Sequence, residues 1–454
     1  MSAFVYANGQ YHLLAGNKIV KDAALLDMKS TDKIIVNGQT YNLGAGSSVT
    51  PEIPEVPDAP VLDDMVHNNG TEPSTGTKWY VTPDGAGSMD GTSWANAASA
   101  SMIHVILLSA ASGDSIYFAE GDYTADRTLT LPSGVSLFGG FPSENPTWAT
   151  RDAFAHQTRW TASHSGAWLA STSNVAGQVV DGFTLMNYAG TTADGDNLTF
   201  KNMTLSGGSF TTAGKLENCY VTGVTLNASS VSSCKAVNSP AAISNAEGTD
   251  FFYASVEVSV KAENCNVYGK EKIKVKCRFS RIAINCTAVN CKSESESIFF
   301  SNSLGCAITN CTAVNCTSSG YIFDNSETSS VSKNCLSWNN SGTEFSDYTE
   351  LTTCAGSTYN AALALTLGTD NSIARFTNTG FAPAKGVQDV GACPSPLDDP
   401  DGYAEWLSAF GDWHPAADSF LLGAGTADED VTTDADGVTR PDPPSIGAFE
   451  AKPA

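Results

Sequence analysis

One hexapeptide constrains the fold of this chain more than any other feature. Cys-Thr-Ala-Val-Asn-Cys occurs at residues 286–291 and again at 311–316. An identity of six residues that recurs after 25 residues is typical of a repeat architecture, in which one structural unit stacks upon the next. A shared column of cysteine or methionine continues the pattern at Met203, Cys219, Cys234, Cys265, Cys286, Cys311 and Cys335. The pattern predicts a parallel β-solenoid in which one type of side chain stacks rung upon rung.

The intervals within this cysteine column predict the length of each coil. They are 16, 15, 31, 21, 25 and 24 residues. The interval of 31 residues corresponds either to two coils or to one coil with a loop inserted near 247–253. Stacking satisfies the backbone hydrogen bonds that an isolated coil would leave open, and capping elements at the ends prevent edge-to-edge association.

The charge balance excludes several classes of partner. The 454 residues include 24 Lys or Arg and 48 Asp or Glu, so the formal net charge is −24. Phosphate backbones and anionic membrane surfaces repel such a chain, and we expect neither nucleic-acid binding nor membrane insertion. Met1 is followed by a mixed sequence without the basic and apolar regions of a secretory signal.

The twelve cysteines are interpreted as core residues. Most occupy the cysteine column rather than a disulfide framework, and in a cytoplasm they would stay reduced and act as small hydrophobic groups. Zinc is the alternative because Cys-x4-Cys occurs twice, but zinc sites usually combine a closer Cys pair with histidine, and the six histidines lie elsewhere. We therefore predict stacked core thiols, with no metal and no other cofactor.

A second internal repeat lies in residues 1–48. Val-Tyr-Ala-Asn-Gly-Gln-Tyr at 5–11 resembles Ile-Val-Asn-Gly-Gln-Thr-Tyr at 35–41. Asn-Gly between β-rich flanks predicts a hairpin, because a type I′ turn needs positive φ at both central residues. We predict two hairpins joined by a short helix at 22–28. Because so few residues seldom form an independent core, we favour a docking module over a simple all-β cap.

A Pro-rich acidic segment at 49–77 follows this module. Prolines at 51, 54, 57 and 60 recur every third residue, which favours an extended, polyproline-like spacer. We therefore predict a β-hairpin docking module at 1–48, a linker at 49–77, and an all-β body at 78–454 with a cap at each end.

The two ends of this body carry specific motifs. Trp-Tyr-Val-Thr-Pro-Asp-Gly starts at Trp79, and a helix is predicted at 96–110 with Met102, Ile103, Ile106 and Leu107 on its apolar face. Near the end stand Asp-Gly-Val-Thr-Arg-Pro at 436–441 and Ile-Gly-Ala-Phe-Glu at 446–450. This order of motifs resembles the right-handed parallel β-helix domains of the pectate-lyase-like superfamily, found in Bacteroidetes surface proteins and phage tail spikes. The resemblance implies a single-stranded right-handed parallel β-helix whose N-terminal end is capped by the α-helix at 96–110. It says little about activity.

One predicted strand concentrates positive charge. Lys270, Lys272, Lys274, Lys276 and Arg278 alternate with mostly apolar residues, so a β-strand places these five cations on one face. The cations form either a solvated outer face that discourages strand pairing or a contact for an acidic glycan or an acidic partner protein. They are the candidate binding residues of the chain.

No catalytic set is evident in the sequence. Glycoside hydrolysis needs two carboxylates at a defined separation, and lyase chemistry needs a base with cationic stabilisation of a carbanion. The acidic residues of the repeats give no pair at matching positions of neighbouring coils; they are Asp181, Asp194, Asp196, Glu217, Glu247, Asp250, Glu257 and Glu263. The catalytic residues stay unassigned, and the sequence favours a binding protein over a polysaccharide lyase or glycoside hydrolase.

Three further features have a structural interpretation. The acidic run at 428–436 lacks the spacing of an EF-hand loop and indicates a solvated turn. Several tryptophans indicate plugs at the solenoid ends rather than sugar platforms: Trp148, Trp160, Trp168, Trp406 and Trp413. Several Asn-x-Ser/Thr triplets indicate turn residues rather than glycosylation sites: those at Asn197, Asn202, Asn285, Asn310 and Asn315.

The architecture leads to one functional hypothesis and two alternatives. We expect a phage virion component of the tail-spike or fibre kind, made in the host cytoplasm. In it, residues 1–48 attach to other virion proteins and the β-helix binds a host surface polysaccharide. The resemblance to tail spikes also implies a homotrimer. A polysaccharide depolymerase and a bacterial adhesin on the extracellular surface are the alternatives.

Overall fold

A computed structural model divides the chain into two compact units, Met1–Asp58 and Ala59–Ala454. In the first unit the structure describes five strands. In the second it describes residues 67–162, 167–171, 177–191, 198–269, 275–293, 297–301, 307–325, 331–338, 340–345, 350–352, 354–356, 365–366, 402, 413–415, 419 and 421–451. The predicted helix at 22–28 lies outside these ranges, as do Lys270, Lys272 and Lys274. Within them, no helix is long and apolar enough to cross a membrane.

The first unit contains the two predicted hairpins. Its strands are β1 (Ser2–Ala7), β2 (Gln10–Ala15), β3 (Lys18–Val20), β4 (Lys33–Val36) and β5 (Gln39–Asn42). The antiparallel pairs β1–β2 and β4–β5 confirm both hairpins, and the Asn-Gly dipeptides stand between their strands. The third strand, β3, pairs antiparallel with β2 and was not predicted. The division into docking module, linker and body stays a prediction.

The second unit is a right-handed parallel β-helix, which confirms the predicted fold. Its first strands are β6 (Lys78–Thr82), β7 (Ala98–Ser99), β8 (Ser115–Ala119), β9 (Gly121–Ala125), β10 (Leu129–Leu131), β11 (Ser136–Phe141), β12 (Thr158–Ala162), β13 (Leu169–Ser171), β14 (Gln178–Asp181), β15 (Phe183–Thr191), β16 (Leu198–Lys201) and β17 (Thr204–Glu217). The middle strands are β18 (Tyr220–Thr222), β19 (Thr225–Ser232), β20 (Lys235–Val237), β21 (Ala241–Glu247), β22 (Asp250–Phe252), β23 (Val256–Glu263), β24 (Asn266–Tyr268), β25 (Val275–Ser280), β26 (Ile282–Ile284), β27 (Thr287–Val289) and β28 (Cys291–Ser293). The last are β29 (Phe299–Ser301), β30 (Ala307–Thr309), β31 (Thr312–Val314), β32 (Thr317–Asn325), β33 (Val331–Lys333), β34 (Leu336–Trp338), β35 (Ser341–Phe345), β36 (Glu350–Thr352), β37 (Ala355–Gly356) and β38 (Leu365–Thr366).

Each coil contributes to three parallel ladders. Ladder A contains β14, β16, the ends of β17, β19, β21 and β23, and then β26, β30, β33 and β36. Ladder B contains the start of β17 and then β18, β20, β22, β24, β27, β31, β34 and β37. Ladder C contains the middle of β17, the starts of β19, β21 and β23, and then β25, β28, β29, β32 and β35. Inward side chains of all three ladders form one continuous core.

The turn from ladder A to ladder B uses a left-handed residue in coil after coil. Positive φ values of 47–53° occur there at Asn202, Asn218, Ser233, Asn264, Asn285, Asn310 and Asn334. Asparagine suits this position because its short polar side chain tolerates the left-handed region. The amides also bond from coil to coil: Asn285 Nδ2 donates to Asn264 Oδ1 (3.0 Å), and Asn334 Nδ2 donates to Asn310 Oδ1 (2.9 Å). Where these asparagines belong to glycosylation triplets, the predicted turn role is confirmed.

The repeated hexapeptide is therefore a turn, a strand and a second turn. Cys286 follows the first turn, β27 carries Thr-Ala-Val, and Asn290 forms the second turn at φ 53°. In the next copy Asn315 takes the place of Asn290, and its Nδ2 donates to Asn290 Oδ1. The two identical hexapeptides thus stack directly on each other.

The predicted core role of the cysteine column is confirmed. Its members from Met203 to Cys335 are at most 2% exposed. The interval of 31 residues between Cys234 and Cys265 corresponds to two coils. Gly248 and Thr249 take the places that Asn and Cys occupy in other coils, and Cys234 N donates to Thr249 Oγ1 at 3.3 Å.

The N-terminal helix is shorter than predicted. It spans α1 (Ile103–Ser109), after 3-10 turns at Trp94–Asn96 and Ala100–Met102 and the short strand β7, which pairs with β6. Ile103, Ile106 and Leu107 are buried as predicted, but Met102 is 38% exposed because it lies in the preceding turn. Ala98 and Ser99 fall within the predicted helix, but they form β7 and pair with β6 instead.

Two terminal segments lie along the outside of the solenoid. The N-terminal strap, residues 67–77, begins ahead of the predicted start of the body: Asn69 Nδ2 donates to the carbonyls of Trp148 and Arg151. The C-terminal strap, residues 421–450, is anchored by Arg440, which is buried and donates to Glu450 (2.7 Å) and to Asn285 Oδ1 (2.9 Å). The closing motif of the chain therefore runs along the side of the coils.

Burial of the thiols gives a first testable prediction. Burial raises the pKa of the Cys219, Cys265, Cys291 and Cys311 thiols well above the ordinary value, and thiolate is the reactive form. We expect the ten described cysteines to resist iodoacetamide in the folded protein and to react fully in denaturant. Peptide mass spectrometry measures each site separately, and rapid native labelling at Cys291 or Cys311 would contradict the core assignment.

The Asn334 turn gives a second prediction. Asn334 is buried at φ 53°, donates to Asn310 and to the Thr426 carbonyl, and accepts from Thr426 N. We expect Asn334→Ala to lower the free energy of unfolding by roughly 3–5 kcal/mol, through left-handed strain and unsatisfied buried groups. Asn334→Gly is the control: it tolerates positive φ and should cost about 1 kcal/mol less. Equal losses in urea denaturation would exclude backbone strain as a contributor.

Candidate functional site

Much of the outer surface of ladder B is buried. Its outward residues form an apolar cluster with the C-terminal strap, in which Val289, Val314 and Trp338 pack with Ile446 and Phe449. This face is therefore structural along the coils that contain the hexapeptides.

Ladder A carries charge pairs on its outer face. Lys201 and Lys215 bind Glu217 at 2.7 and 3.1 Å, and Lys261 binds Glu263 at 2.5 Å. Burial raises the pKa of Glu217, but the hydrogen bonds from Lys201 and Lys215 outweigh it and leave the pKa below the ordinary value. Both carboxylates are therefore engaged in ion pairs within the protein.

The outer face of ladder C contains an open groove of about 200 Å³. Its floor is formed by the exposed Pro240 and Ala242, whose side chains are too short to fill the space between the coils on either side. Ala242 stands in register between Asn227 and Glu257, while the inward neighbours Leu226, Ala241 and Val256 are buried in the core. The groove thus arises from small residues at one rung of a regular ladder.

Polar side chains form the rim of this groove. Thr225 and Asn227 line one side, and Ser255 and Glu257 line the other. Thr225, Asn227 and Ser255 are exposed and make no side-chain hydrogen bond within the described part of the chain. The rim therefore offers two hydroxyls, an amide and a carboxylate to a ligand.

The predicted cationic strand borders this groove. In β25 the alternation holds: Lys276 is exposed, Arg278 is half-buried, and Cys277 and Phe279 are in the core. Lys276 lines the groove. Arg278 is in register with Glu257, and its NH1 lies 3.4 Å from Glu257 Oε1. The structure brings these two predicted cations together at the groove, while the other three lie outside the described residues.

One cation beside the groove was missed at the sequence level. Lys292 is in register with Lys276 on the neighbouring coil, through the pairing of β25 with β28. Parallel strands lie about 4.8 Å apart, so the two lysines leave adjacent rungs on the same face. The alternation of residues in β25 does not predict the position of Lys292, because the register between β25 and β28 depends on the length of the coil that joins them.

A carboxylate pair was also missed. Glu247 and Glu263 are in register on neighbouring coils of ladder A, one exposed and one half-buried. The pair is not evident from the sequence, because Gly248-Thr249 takes the place of the Asn-Cys dipeptide that marks the other coils.

The remaining candidates have structural roles. Asp434 is buried and accepts from the backbone of Val438 and Glu450, so the predicted solvated turn is wrong at this residue. Glu429, Asp430 and Asp436 of the same run are exposed. Trp160 and Trp168 lie in the core near the start of the solenoid as predicted. Trp148 and Trp413 pack against outer faces, which corrects their assignment as end plugs, and Trp406 lies outside the described residues.

A second cavity lies at the first coils. It encloses about 310 Å³ and is lined by Glu120, Gly121, Ala155, Gln157 and Arg159. Its charged groups are satisfied within the protein: Glu120 binds His156 Nδ1 at 2.9 Å, and Arg159 binds Asp122 at 2.7 Å. The ladder C groove is the better candidate because Thr225, Asn227 and Ser255 on its rim make no side-chain hydrogen bond within the described part of the chain.

Known structures that are similar to this chain share little sequence with it. No family model matches the chain, and no curated protein matches it. The chain is similar to pectate lyase Pel9A, with 13% identity and a TM-score of 0.45 over 86% of this chain and 99% of that one. It is similar to tailspike protein gp49 of Acinetobacter baumannii bacteriophage Fri1, a capsular polysaccharide depolymerase, with 13% identity, a TM-score of 0.27 and 56% of each chain covered. ORF18 of Geobacillus virus E2 matches with 13% identity and a TM-score of 0.29, over 62% of this chain and 60% of that one. The matches span under two thirds of the two phage proteins.

Proposed function

We propose that this protein is a phage virion component of the tail-spike kind, whose β-helix binds a host surface polysaccharide in the ladder C groove. The observation that carries the proposal is the groove itself: small residues form its floor, and its rim carries hydroxyl and amide groups that have no partner among the described residues. A sugar chain presents hydroxyls that such a rim can bind.

The surface around the groove favours a sugar chain over a folded protein. Protein interfaces rely on large buried anchors such as Trp, Tyr or Arg and bury about 800 Å² on each partner. The groove offers Ala242, Pro240 and short polar side chains instead. Its strands are paired on both sides within ladder C, so no open strand edge is available for a peptide to extend.

Two further features support the proposal that the protein is part of a phage virion. The first unit is a small set of hairpins, which suits docking on another virion protein. A net charge of −24 keeps the rod apart from nucleic acid. Assembly as a homotrimer and location on the virion belong to this proposal.

A polysaccharide depolymerase is the second candidate function. Glu247 and Glu263 leave neighbouring rungs about 4.8 Å apart, close to the ~5 Å between the carboxyl groups of retaining glycoside hydrolases. Glu263, however, already forms an ion pair with Lys261 within the protein.

Filling the groove tests the binding function. We expect Ala242→Trp to weaken binding of the host capsular polysaccharide at least about tenfold, because the indole occupies the space that a sugar ring would take. Val260→Trp, at an exposed position on β23 outside the groove, is the matched control. Isothermal titration measures the affinity, and circular dichroism checks the fold. Unchanged affinity for Ala242→Trp would contradict the proposal, and shortening of the polysaccharide during the assay would replace it with the depolymerase function.

Removal of residues 1–48 tests the docking function. We expect the shortened protein to keep the β-helix fold and its polysaccharide affinity, because the groove lies in the second unit. It should be absent from purified phage particles, as measured by immunoblotting against the full-length chain. Incorporation at the full-length level would refute the role of this module.

A further inference from the structure

We propose that the N-terminal strap carries an acid-sensitive latch, in which protonation of His67 releases residues 67–70 from the loop at 148–154. The neutral imidazole holds this part of the strap on the loop, and the imidazolium loses one of its contacts. The latch lies in the segment that leads into β6 and is independent of the ladder C groove.

Two hydrogen bonds fix His67 in its neutral form. Ala153 N donates to His67 Nδ1 at 3.1 Å, so this ring nitrogen carries no proton. Asn69 Nδ2 donates to the carbonyls of Trp148 and Arg151, which leaves Asn69 Oδ1 as an acceptor. The proton of the imidazole is therefore on Nε2, which donates to Asn69 Oδ1 at 2.6 Å.

Protonation disrupts these contacts at a single atom. A proton on His67 Nδ1 turns the acceptor into a donor that faces the N–H of Ala153. Ala153 is buried, and its amide makes no other hydrogen bond within the described part of the chain. A buried donor that loses its acceptor is destabilising, so the charged imidazole favours release of the strap.

The charged groups around His67 also favour its neutral form. Burial lowers the pKa of His67, and the Arg151 guanidinium lowers it further. Asp181 and Asp152 act in the opposite direction, but the net shift of the pKa is downward. Both carboxylates have other partners, since Asp181 binds Arg151 at 2.7 Å and Asp152 accepts from Phe154 N at 2.9 Å.

The direction of this shift sets the pH dependence of the latch. In the bound strap the pKa of His67 is below the ordinary value of 6.5, whereas in the released strap the imidazole is exposed to water. The released form therefore binds a proton more readily. The strap is bound at full strength above about pH 6.5 and is progressively weakened as the pH falls from there through the lowered pKa.

The far end of the strap limits what the latch releases. Trp148 Nε1 donates to the Gly70 carbonyl at 3.2 Å, which is part of the contact with the loop at 148–154. Further along, Thr77 N donates to Asp114 Oδ1 at 2.7 Å next to β6. Release of residues 67–70 therefore leaves β6 in place and adds up to about 14 Å of free chain ahead of it.

Hydrogen exchange of the full-length protein tests the latch. Mass spectrometry with electron-transfer fragmentation resolves the Ala153 amide at pH 7.5 and 5.0, and each rate is divided by the intrinsic rate at that pH. His67→Gln removes the titration and keeps one acceptor and one donor in the side chain. His104→Gln is the matched control, because His104 is a second half-buried histidine, 3.6 Å from Asp126. The peptide that contains residues 286–291 reports on the fold of the β-helix.

We expect the protection of the Ala153 amide in the unsubstituted protein to fall at least about fivefold between pH 7.5 and 5.0. Residues 286–291 should stay protected at both pH values. His104→Gln should respond to pH like the unsubstituted protein, whereas His67→Gln should give the same protection of the Ala153 amide at both.

Three outcomes would overturn the inference: equal protection of the Ala153 amide at both pH values in the unsubstituted protein, an unchanged pH response in His67→Gln, or simultaneous loss of protection over residues 286–291, which would indicate unfolding of the whole β-helix. If His67→Gln leaves the Ala153 amide unprotected at both pH values, His67→Asn takes its place, because its Oδ1 lies close to the position of Nδ1. A pH response that persists in His67→Asn would equally refute the latch.

Discussion

The left-handed turn between ladders A and B is the constraint on which the rest of the solenoid depends. Each coil passes from one strand to the next through a single left-handed residue, and asparagine adopts this conformation while its amide donates to the asparagine of the preceding coil. Both straps use the same column: Asn202 Nδ2 donates to the Asn68 carbonyl and Asn285 Nδ2 to the Thr433 carbonyl. One column of turns therefore sets the stacking of coils and the position of the terminal segments.

The position of the straps determines which surface is left for a ligand. The C-terminal strap lies over the corner of ladders A and B, where Arg440 and Glu450 form a buried, fully hydrogen-bonded pair. Detachment of the strap would leave one buried charge of this pair without its partner, which is strongly destabilising, so the pair holds the strap in place. Ladder C carries its groove away from this corner, at a rung where Ala242 replaces a longer side chain.

The sequence predicts the inside of this fold better than its outside. Inward positions repeat with the coil, so the column of Cys286 and Cys311 and the alternation around Cys277 are readable from spacing alone. Outward contacts depend on coil length, which varies from 15 to 25 residues along the cysteine column once the interval of 31 is divided at Thr249. The Lys276–Lys292 and Glu247–Glu263 pairs therefore emerge only when the register is known. The straps are equally hidden, because Arg440 and Asn285 are far apart in sequence.

Local charge and net charge act over different distances at the groove. A net charge of −24 repels anionic polymers as a whole, but salt limits this repulsion to about 8–10 Å under ordinary conditions. Lys276 acts at contact, where its nearest carboxylate on the rim, Glu257, is already paired with Arg278. A ligand that reaches the groove is therefore selected by the side chains that it contacts and not by the overall charge of the chain.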